Sequence, residues 1–275
     1  MREKNTLPRL VASDIGGTLI SGFTPLPPFT AQVLNRLVDR GIPVALITGY
    51  NFQTTAKLME PVKEKVYCLP QNGALCLKAN EVIWEYRLTA AEVKTMHDYL
   101  EKKGLPILVY LGVAAGLKNY YIYQEELPLS YAFDRLPALE DAENITGIST
   151  LVPDAQAPQI RADLQSISGG GLKVIYTREK RGSFLEVVHA EVRKDAALKK
   201  MCRLLDVPLE RVIFFGDNLN DLEALRLVKE PVIVAGAVPE LKAEFTVQVG
   251  PPEEEGVAHY LCQRFNLDER PGPIL

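Results

Sequence analysis

The sequence has little cysteine, and its four cysteines are scattered along the chain. They are Cys68, Cys76, Cys202 and Cys262, and no two of them form a CxxC pair. The sequence therefore predicts neither a zinc ribbon nor a dithiol redox motif. Scattered cysteines in a chain of this length are typical of reduced, buried thiols, so we expect a cytoplasmic protein.

The chain also lacks long runs of one kind of side chain. No segment approaches the ~18 consecutive apolar residues of a transmembrane helix, and residues 1–10 contain no apolar stretch of signal-peptide length. The formal net charge is -4 and no long basic run is present, which argues against electrostatic binding to nucleic acid. We expect no membrane partner and no nucleic-acid partner, while the oligomeric state stays open.

The first part of the chain alternates short buried strands with helices. Residues 10–15 and 43–48 are apolar runs typical of buried strands, and residues 66–69 are extended. Helical patterns lie between these strands, one opening at Thr30 and one over residues 51–60. This β-α-β-α-β order predicts the start of a doubly wound parallel sheet.

The pattern changes between about residue 80 and residue 187, where strands occur in runs between two amphipathic helices. The predicted helices are 90–103 and 157–167, and the predicted strands are 107–111, 120–124, 173–177 and 183–188. Runs of strands between helices favour a separate α+β unit.

After about residue 188 the chain again alternates helices with buried strands. Helices are predicted at 194–205 and 219–227, and strands at 212–215 and 232–235. The length of 275 residues suits two domains of ordinary size. We therefore predict an α/β fold: a doubly wound parallel-sheet, Rossmann-like core formed by residues 1–80 and 188–275, with an inserted α+β domain at residues 81–187.

Three carboxylates lie where predicted core strands end. Asp14 follows the first strand, Asp217 follows the strand at 212–215, and Asp221 comes four residues later. In open parallel sheets the functional crevice lies at the carboxyl ends of the strands. Three acidic groups that converge there repel one another unless they share a cation, and a few hard oxygen ligands suit Mg²⁺. Taken singly, Asp14 and Asp217 are better explained as turn or helix-cap residues.

Taken together, the motifs resemble those of the haloacid-dehalogenase (HAD) superfamily, in its Cof-type phosphatase branch. The segments that carry the resemblance, in family order, are DIGGTL at 14–19, ITG at 47–49, NGA at 72–74, KDAAL at 194–198, GDNLND at 216–221 and GVA at 256–258. They span residues 10–261 and fall at the expected strand ends. The resemblance implies that the inserted domain is the large α/β cap of that branch.

The resemblance also implies roles for particular residues. Asp14 would be the nucleophile, Thr48 a hydrogen-bond donor to the phosphoryl oxygens, and Lys194 a neutralising cation. The implied cofactor is Mg²⁺, held by the Asp14 carboxylate, the carbonyl of Gly16 and Asp217, with Asp221 in support. Four further motif positions are expected to line the substrate site: Gly49, Asn72, Gly73 and Asn220.

Three positions depart from the family pattern. The second aspartate of DxDGT, the general acid and base of the family, is Gly16 here. The arginine that often follows Thr-Gly is Tyr50, and the glycine after the third-motif lysine is Asp195. A carbonyl ligand survives the change at Gly16, but proton transfer, which is typically worth about 10²–10⁴-fold, must suffer or be supplied from elsewhere.

The missing general acid leads to three expectations: another residue replaces it, the substrate needs no acid, or restoring the aspartate raises activity. His189, Glu191 and Asp195 lie near the return from the cap, although a structural role is the simpler reading of His189. Substrates with good leaving groups, such as acyl or aryl phosphates, need little protonation. Gly16→Asp is expected to raise turnover of alkyl phosphates by about 10²-fold or more.

The predicted function is Mg²⁺-dependent hydrolysis of a small phosphorylated metabolite, such as a sugar phosphate, through an aspartyl-phosphate on Asp14. The alternative is a catalytically impaired HAD fold that serves as a ligand-binding or interaction protein, for which Gly16 is the main argument. Phosphoryl transfer or a mutase step on the same fold is a third possibility. Tyrosines of the inserted domain either line a substrate pocket or pack on its helices; they are Tyr110, Tyr120, Tyr121, Tyr123 and Tyr131.

Overall fold

Two β-sheets and the helices packed on them form the described part of the chain. The computed structural model describes residues 7–79, 81–111, 119–121, 134–135, 144–179 and 182–267. Tyr123, Tyr131 and residues 122–124 of a predicted strand lie outside these ranges. Within them, no helix is both long enough and apolar enough to cross a bilayer.

The helices and strands are numbered in chain order. The strands are β1 Leu10–Ser13, β2 Val44–Ile47, β3 Tyr67–Leu69, β4 Leu75–Lys78, β5 Glu81–Glu85, β6 Leu108–Leu111, β7 Asn119–Tyr121, β8 Asp134–Arg135, β9 Ile145–Val152, β10 Leu172–Glu179, β11 Gly182–His189, β12 Val212–Gly216, β13 Glu230–Val234 and β14 Gln248–Val249. The helices are α1 Pro28–Asp39, α2 Phe52–Leu58, α3 Ala90–Lys102, α4 Ala157–Ser168, α5 Lys194–Leu204, α6 Leu222–Leu227, α7 Pro239–Glu244 and α8 Gly256–Phe265.

The larger sheet is mainly parallel. Among the described residues its strand order is β14-β13-β12-β1-β2-β3-β4-β5, and the pairs from β14 through β3 are all parallel. The pairing of β4 with β3 is antiparallel. Because β1 has β2 on one side and β12 on the other, the chain winds outward in both directions from β1. The predicted α/β doubly wound core is confirmed.

The central strands are buried along their whole length. Every residue of β1, β2 and β12 is buried, as expected for parallel strands covered on both faces. On one face, alternate strand residues such as Val11 and Phe215 join a cluster with Leu34 of α1 and Leu261 of α8. Burial on both faces explains why these strands read as continuous apolar runs in the sequence.

The second sheet belongs to a separate compact unit. The chain divides into one unit that contains residues 1–50, 55–83 and 193–275 and another that contains residues 51–54 and 84–192. In the second unit the strand order is β10-β11-β9-β6-β7-β8 among the described residues. Apolar side chains of α3 and α4 pack on one face of this sheet. The unit therefore has its own α+β core.

The change from one sheet to the other lies a few residues from the predicted domain boundaries. β5, at Glu81–Glu85, lies at the edge of the larger sheet next to β4, although the prediction assigned it to the insertion at 81–187. At the other end, β11 continues to His189, because His189 pairs with Leu172 of β10. The change of sheet occurs after β5 and after β11, and not at residues 80 and 187.

A buried carboxylate lies on the second sheet. Glu186 of β11 is 7% exposed and is opposite Ser149 of β9, whose hydroxyl group has no hydrogen-bond partner among the described residues. Adjacent strand residues Leu185 and Val187 belong to the core shared with the helices, so Glu186 points to the other face. Burial raises the pKa of Glu186 to about 7, against the opposing effect of Lys173.

This shift predicts a pH-dependent stability. Because the pKa of Glu186 is higher in the folded chain than in the unfolded one, folding takes up a proton between these two values. The free energy of unfolding should therefore fall by about 3 kcal/mol, relative to Glu186→Gln, as pH rises from about 4.5 to 7. Urea unfolding of both proteins at several pH values measures this. Exposed Glu101 provides the control Glu101→Gln, and an unchanged pH slope in Glu186→Gln would contradict the prediction.

Candidate active site

The predicted site residues lie at the carboxyl edge of the parallel sheet. Asp14 follows β1 and Thr48 follows β2, while Asp217 follows β12. The ends are level because Ser13 is in register with both Leu46 and Phe215. Asp14 and Thr48 are almost fully buried, at 4% and 2% exposure. The edge therefore brings three strand ends to one place, beside the switch in strand order at which ligands bind in such sheets.

The three aspartates form one cluster, in which Asp14 and Asp221 are buried and Asp217 is half-buried. Asp14, Asp217 and Asp221 each offer a carboxylate oxygen, and these oxygens all lie within 4.8 Å of one another. Burial, opposed by Lys194, raises the pKa of Asp14 to about 6 and the pKa of Asp221 to about 6. Burial and the neighbouring Asp221 also raise the pKa of Asp217. The cluster therefore carries unfavourable negative charge that a cation would relieve.

Lys194 supplies part of that positive charge. Its Nζ atom donates to Oδ1 of Asp14 at 2.6 Å and to Oδ1 of Asp221 at 2.7 Å. Burial disfavours the charged ammonium, but the two carboxylates outweigh it and raise the pKa of Lys194. Lys194 is the first residue of α5, where the helix dipole disfavours a cation. The aspartates explain its position, yet one ammonium group does not neutralise three carboxylates.

The turn after β1 requires glycine at position 17. Gly17 has a φ of +83°, and an added Cβ would lie 2.3 Å from Oδ2 of Asp217. Thr18 then donates to Oδ1 of Asp217 at 3.0 Å. Within the described ranges, no hydrogen bond to the Gly16 carbonyl is found. The turn thus packs its backbone on Asp217 and leaves one carbonyl oxygen available.

Asp221 holds the loop that carries Asp217. Its Oδ2 atom accepts hydrogen bonds from the backbone N–H groups of Asp217 and Asn218, each at 3.1 Å. Its Oδ1 atom accepts from Lys194. An added Cβ at Gly216 would lie 2.6 Å from Cβ of Asp221, so the aspartate packs directly on the strand end. Both oxygens of Asp221 are therefore already engaged.

The predicted substrate-binding residues are brought together beside Thr48. Asn72, in left-handed conformation with φ 53°, donates from its backbone N–H to the Thr48 carbonyl at 2.7 Å. Its Oδ1 atom accepts from Nδ2 of Asn220 at 3.3 Å. A Cβ at Gly49 would lie 3.7 Å from the Asn72 amide. Three of the four residues thus adjoin, and their contact with substrate stays a prediction.

Gly73 has a packing reason to be glycine. Its φ is +90°, and an added Cβ would lie 2.4 Å from Cβ of Ala197. Ala197 belongs to α5, the helix that begins with Lys194. The close approach of Gly73 to α5 therefore fixes that helix against the turn that carries Asn72.

The residues considered as substitute acids have local partners. Both oxygens of Asp195 accept from the Arg193 guanidinium, each at 2.8 Å. Burial would raise the pKa of Asp195, but Arg193 lowers it overall. In the second unit, the ring of His189 stacks on Tyr86 at 4.9 Å, and its Nδ1 atom accepts from the backbone N–H of Glu191 at 3.2 Å. These contacts favour structural roles for His189 and Asp195.

Thr18 belongs to the DIGGTL segment, but no role was predicted for it from the sequence. The sequence feature that could have indicated its role is a hydroxyl side chain four positions after Asp14 and directly after two glycines. A turn of that kind brings residue 18 back toward the strand end, where its hydroxyl group orients Asp217.

Comparison with known proteins identifies the family. The sequence model of the haloacid dehalogenase-like hydrolases matches residues 11–261. The chain is 25% identical over 275 residues to the 5-amino-6-(5-phospho-D-ribitylamino)uracil phosphatase YitU of Bacillus subtilis, covering 95% of this chain and 99% of that protein. It is 25% identical over 276 residues to the HMP-PP phosphatase of Yersinia pestis (strain Pestoides F), covering 92% of this chain and 94% of that protein.

The fold agrees with solved structures. A haloacid dehalogenase-like hydrolase from Bacteroides thetaiotaomicron matches with a TM-score of 0.79 at 20% identity, over 92% of this chain and 98% of that one. The resemblance deduced from the sequence motifs is confirmed. The chain therefore belongs to the haloacid dehalogenase-like hydrolase family, in its Cof-type branch of phosphatases.

Proposed function

We propose that the chain is a Mg²⁺-dependent phosphohydrolase that acts on a small phosphorylated metabolite, such as a sugar phosphate. The observation that carries the proposal is the cluster in which buried Lys194 bridges buried Asp14 and Asp221 beside half-buried Asp217. Phosphoryl transfer needs positioning and charge compensation above all. A purely structural core has no need for three carboxylates at the carboxyl edge of its sheet.

The residues present fit a magnesium ion. Asp14 and Asp217 each have a carboxylate at the cluster, and the Gly16 carbonyl is available, which gives the few hard oxygen ligands that Mg²⁺ prefers. Asp221 would act by holding Lys194 and the Asp217 loop, since its oxygens are engaged. When bound, the ion would compensate charge on the cluster and on the phosphoryl oxygens.

The chain's own residues would divide the reaction into two steps. Asp14 attacks phosphorus as the bond from phosphorus to the leaving oxygen breaks, which gives an aspartyl-phosphate. Water then attacks the same phosphorus and Asp14 is released. Lys194 orients Asp14 through Oδ1, at 2.6 Å, while the hydroxyl group of Thr48 would donate to the phosphoryl oxygens. Residues beside Thr48 would complete the phosphate site: Gly49, Asn72, Gly73 and Asn220.

The inserted unit would serve as a cap, and the relatives support a small substrate. Their names refer to phosphatases of a phosphoribitylamino-uracil and of HMP-PP. Specificity within such a fold lies in the residues around the leaving group, so these names indicate a class of compound and not a particular one.

One observation favours a second candidate function, a HAD fold retained for binding. Gly16 removes the usual acid and base. A screen with and without EDTA over sugar phosphates, acyl phosphates and p-nitrophenyl phosphate decides between the two. Phosphate release that requires Mg²⁺ supports the hydrolase, whereas Mg²⁺ binding without any turnover supports the binding role.

The metal proposal predicts the result of Asp217→Asn. Loss of one anionic ligand should weaken Mg²⁺ affinity at least about 100-fold, while the fold is kept because Thr18 and Asp221 still hold the loop. Titration calorimetry with Mg²⁺ measures the change. Exposed Asp206 gives the control Asp206→Asn, which should bind as the wild type does. Unchanged affinity in Asp217→Asn would refute this metal site.

A further inference from the structure

The two departures at positions 16 and 50 meet in space. A Cβ added at Gly16 would lie 2.4 Å from the hydroxyl oxygen of Tyr50 and 2.8 Å from its Cζ atom. Contacts that short do not occur between real atoms. Tyr50 therefore occupies the place that a side chain at residue 16 would need, and the two substitutions form one structural change.

The Tyr50 side chain is held in that place. Its hydroxyl group donates to the Gly22 carbonyl at 2.8 Å, and its ring lies 5.2 Å from the Phe23 ring. Its backbone N–H donates to Oγ1 of Thr48 at 3.2 Å, and its carbonyl accepts from the N–H of Gln71 at 2.8 Å. The phenol is thus anchored to the same strand end that carries the predicted phosphate site.

The phenol oxygen lies beside residue 16. It is the nearest atom to the Cβ position built on Gly16, the position from which the family's carboxyl group extends. A proton-bearing oxygen therefore lies next to residue 16, two residues after Asp14.

We propose that Tyr50 takes over proton transfer from the missing carboxyl group at position 16. This inference rests on the proposed hydrolase function. In the first step the bond from phosphorus to the leaving oxygen breaks, the Asp14–phosphorus bond forms, and the phenol proton passes to the leaving oxygen. In the second step water attacks phosphorus, the Asp14–phosphorus bond breaks, and the phenolate takes the proton of water. Tyr50 ends as it began.

The chemistry of a phenol suits alkyl phosphates. A phenol has an ordinary pKa of about 10, which lies below that of an alcohol, so proton transfer to a developing alkoxide is favourable. Rotation about the Cζ–O bond turns the hydroxyl proton away from the Gly22 carbonyl, while the ring stays in place. A leaving group such as nitrophenolate gains little from this donor.

The test compares leaving groups in Tyr50→Phe, which keeps the ring and removes the hydroxyl group. On an alkyl phosphate, kcat/KM should fall by about 10²–10⁴-fold, whereas on p-nitrophenyl phosphate it should change by a small factor. The matched control is Tyr260→Phe, which removes a hydroxyl group bonded to Glu230 at 3.0 Å and should leave the ratio between the substrates unchanged. An equal loss on both substrates, or no loss, would overturn the inference.

A rescue experiment tests the geometry independently. Gly16→Asp alone must displace Tyr50, so it should lower thermal stability and fail to raise activity, contrary to the expectation from sequence. In the Tyr50→Ala background the same substitution has room, and it should recover much of the lost alkyl-phosphate activity. Equal destabilisation by Gly16→Asp in both backgrounds would overturn the inference. If wild type and Asp14→Asn are equally inactive on every phosphate, the proposed hydrolase fails, and the proton-transfer role fails with it.

Discussion

Replacing Asp14 by asparagine should reduce phosphatase turnover by about 10⁴-fold or more, because the proposed mechanism uses the Asp14 carboxylate as the nucleophile and an amide does not replace it. The substituted side chain is nearly the same size, so the fold should survive. Lys194 keeps its ion pair with Asp221 at 2.7 Å. Initial rates on p-nitrophenyl phosphate, with melting temperature as the check on folding, give the result.

The matched control for this prediction is Asp195→Asn. Asp195 is also a buried carboxylate, 6% exposed, but its partner is Arg193. It should lose some stability and keep turnover within a few-fold of wild type. Comparable activity in Asp14→Asn and the wild type would remove Asp14 from the mechanism.

Lys194→Met should cost about 3–5 kcal/mol of stability in the absence of Mg²⁺. Removal of one partner of a buried ion pair leaves the other charge uncompensated, and here Asp14 and Asp221 both lose their ammonium partner. Added Mg²⁺ should restore part of the loss, since a second cation relieves the same repulsion. Urea unfolding with and without Mg²⁺ measures both effects.

Lys199 on the same helix provides the control. Its side chain is 42% exposed and its distance to Asp195 is 3.6 Å, so Lys199→Met should change stability by less than about 1 kcal/mol. A similar small effect of Lys194→Met would show that the aspartate cluster does not depend on this lysine.

The core of the fold and the cluster at its edge were predictable from sequence for one reason. Parallel strands buried on both faces read as apolar runs, and a polar residue directly after such a run lies at the carboxyl edge. Asp14, Thr48 and Asp217 each follow a run of this kind. The pairing of Lys194 with Asp14 came from the family motif, since 180 residues separate them.

The elements that sequence reasoning missed depend on distant partners. β9, at Ile145–Val152, lies between β11 and β6 in the second sheet, yet its threonine, serine and glycine residues weaken the apolar pattern. β5 has an amphipathic pattern that suits either sheet, and only its position beside β4 shows that it belongs to the larger one. The proximity of Tyr50 to Gly16 likewise joins two distant loops, so no local sequence pattern predicts it.

Acid-quenched reaction of the wild type with p-nitrophenyl phosphate and Mg²⁺, followed by peptide mapping, tests the central claim most directly. The expected product is one phosphoryl group on the peptide that contains Asp14, absent in Asp14→Asn and absent with EDTA. Steady release of phosphate with no phosphorylated Asp14 at any quench time, or with the phosphoryl group on another residue, would contradict it.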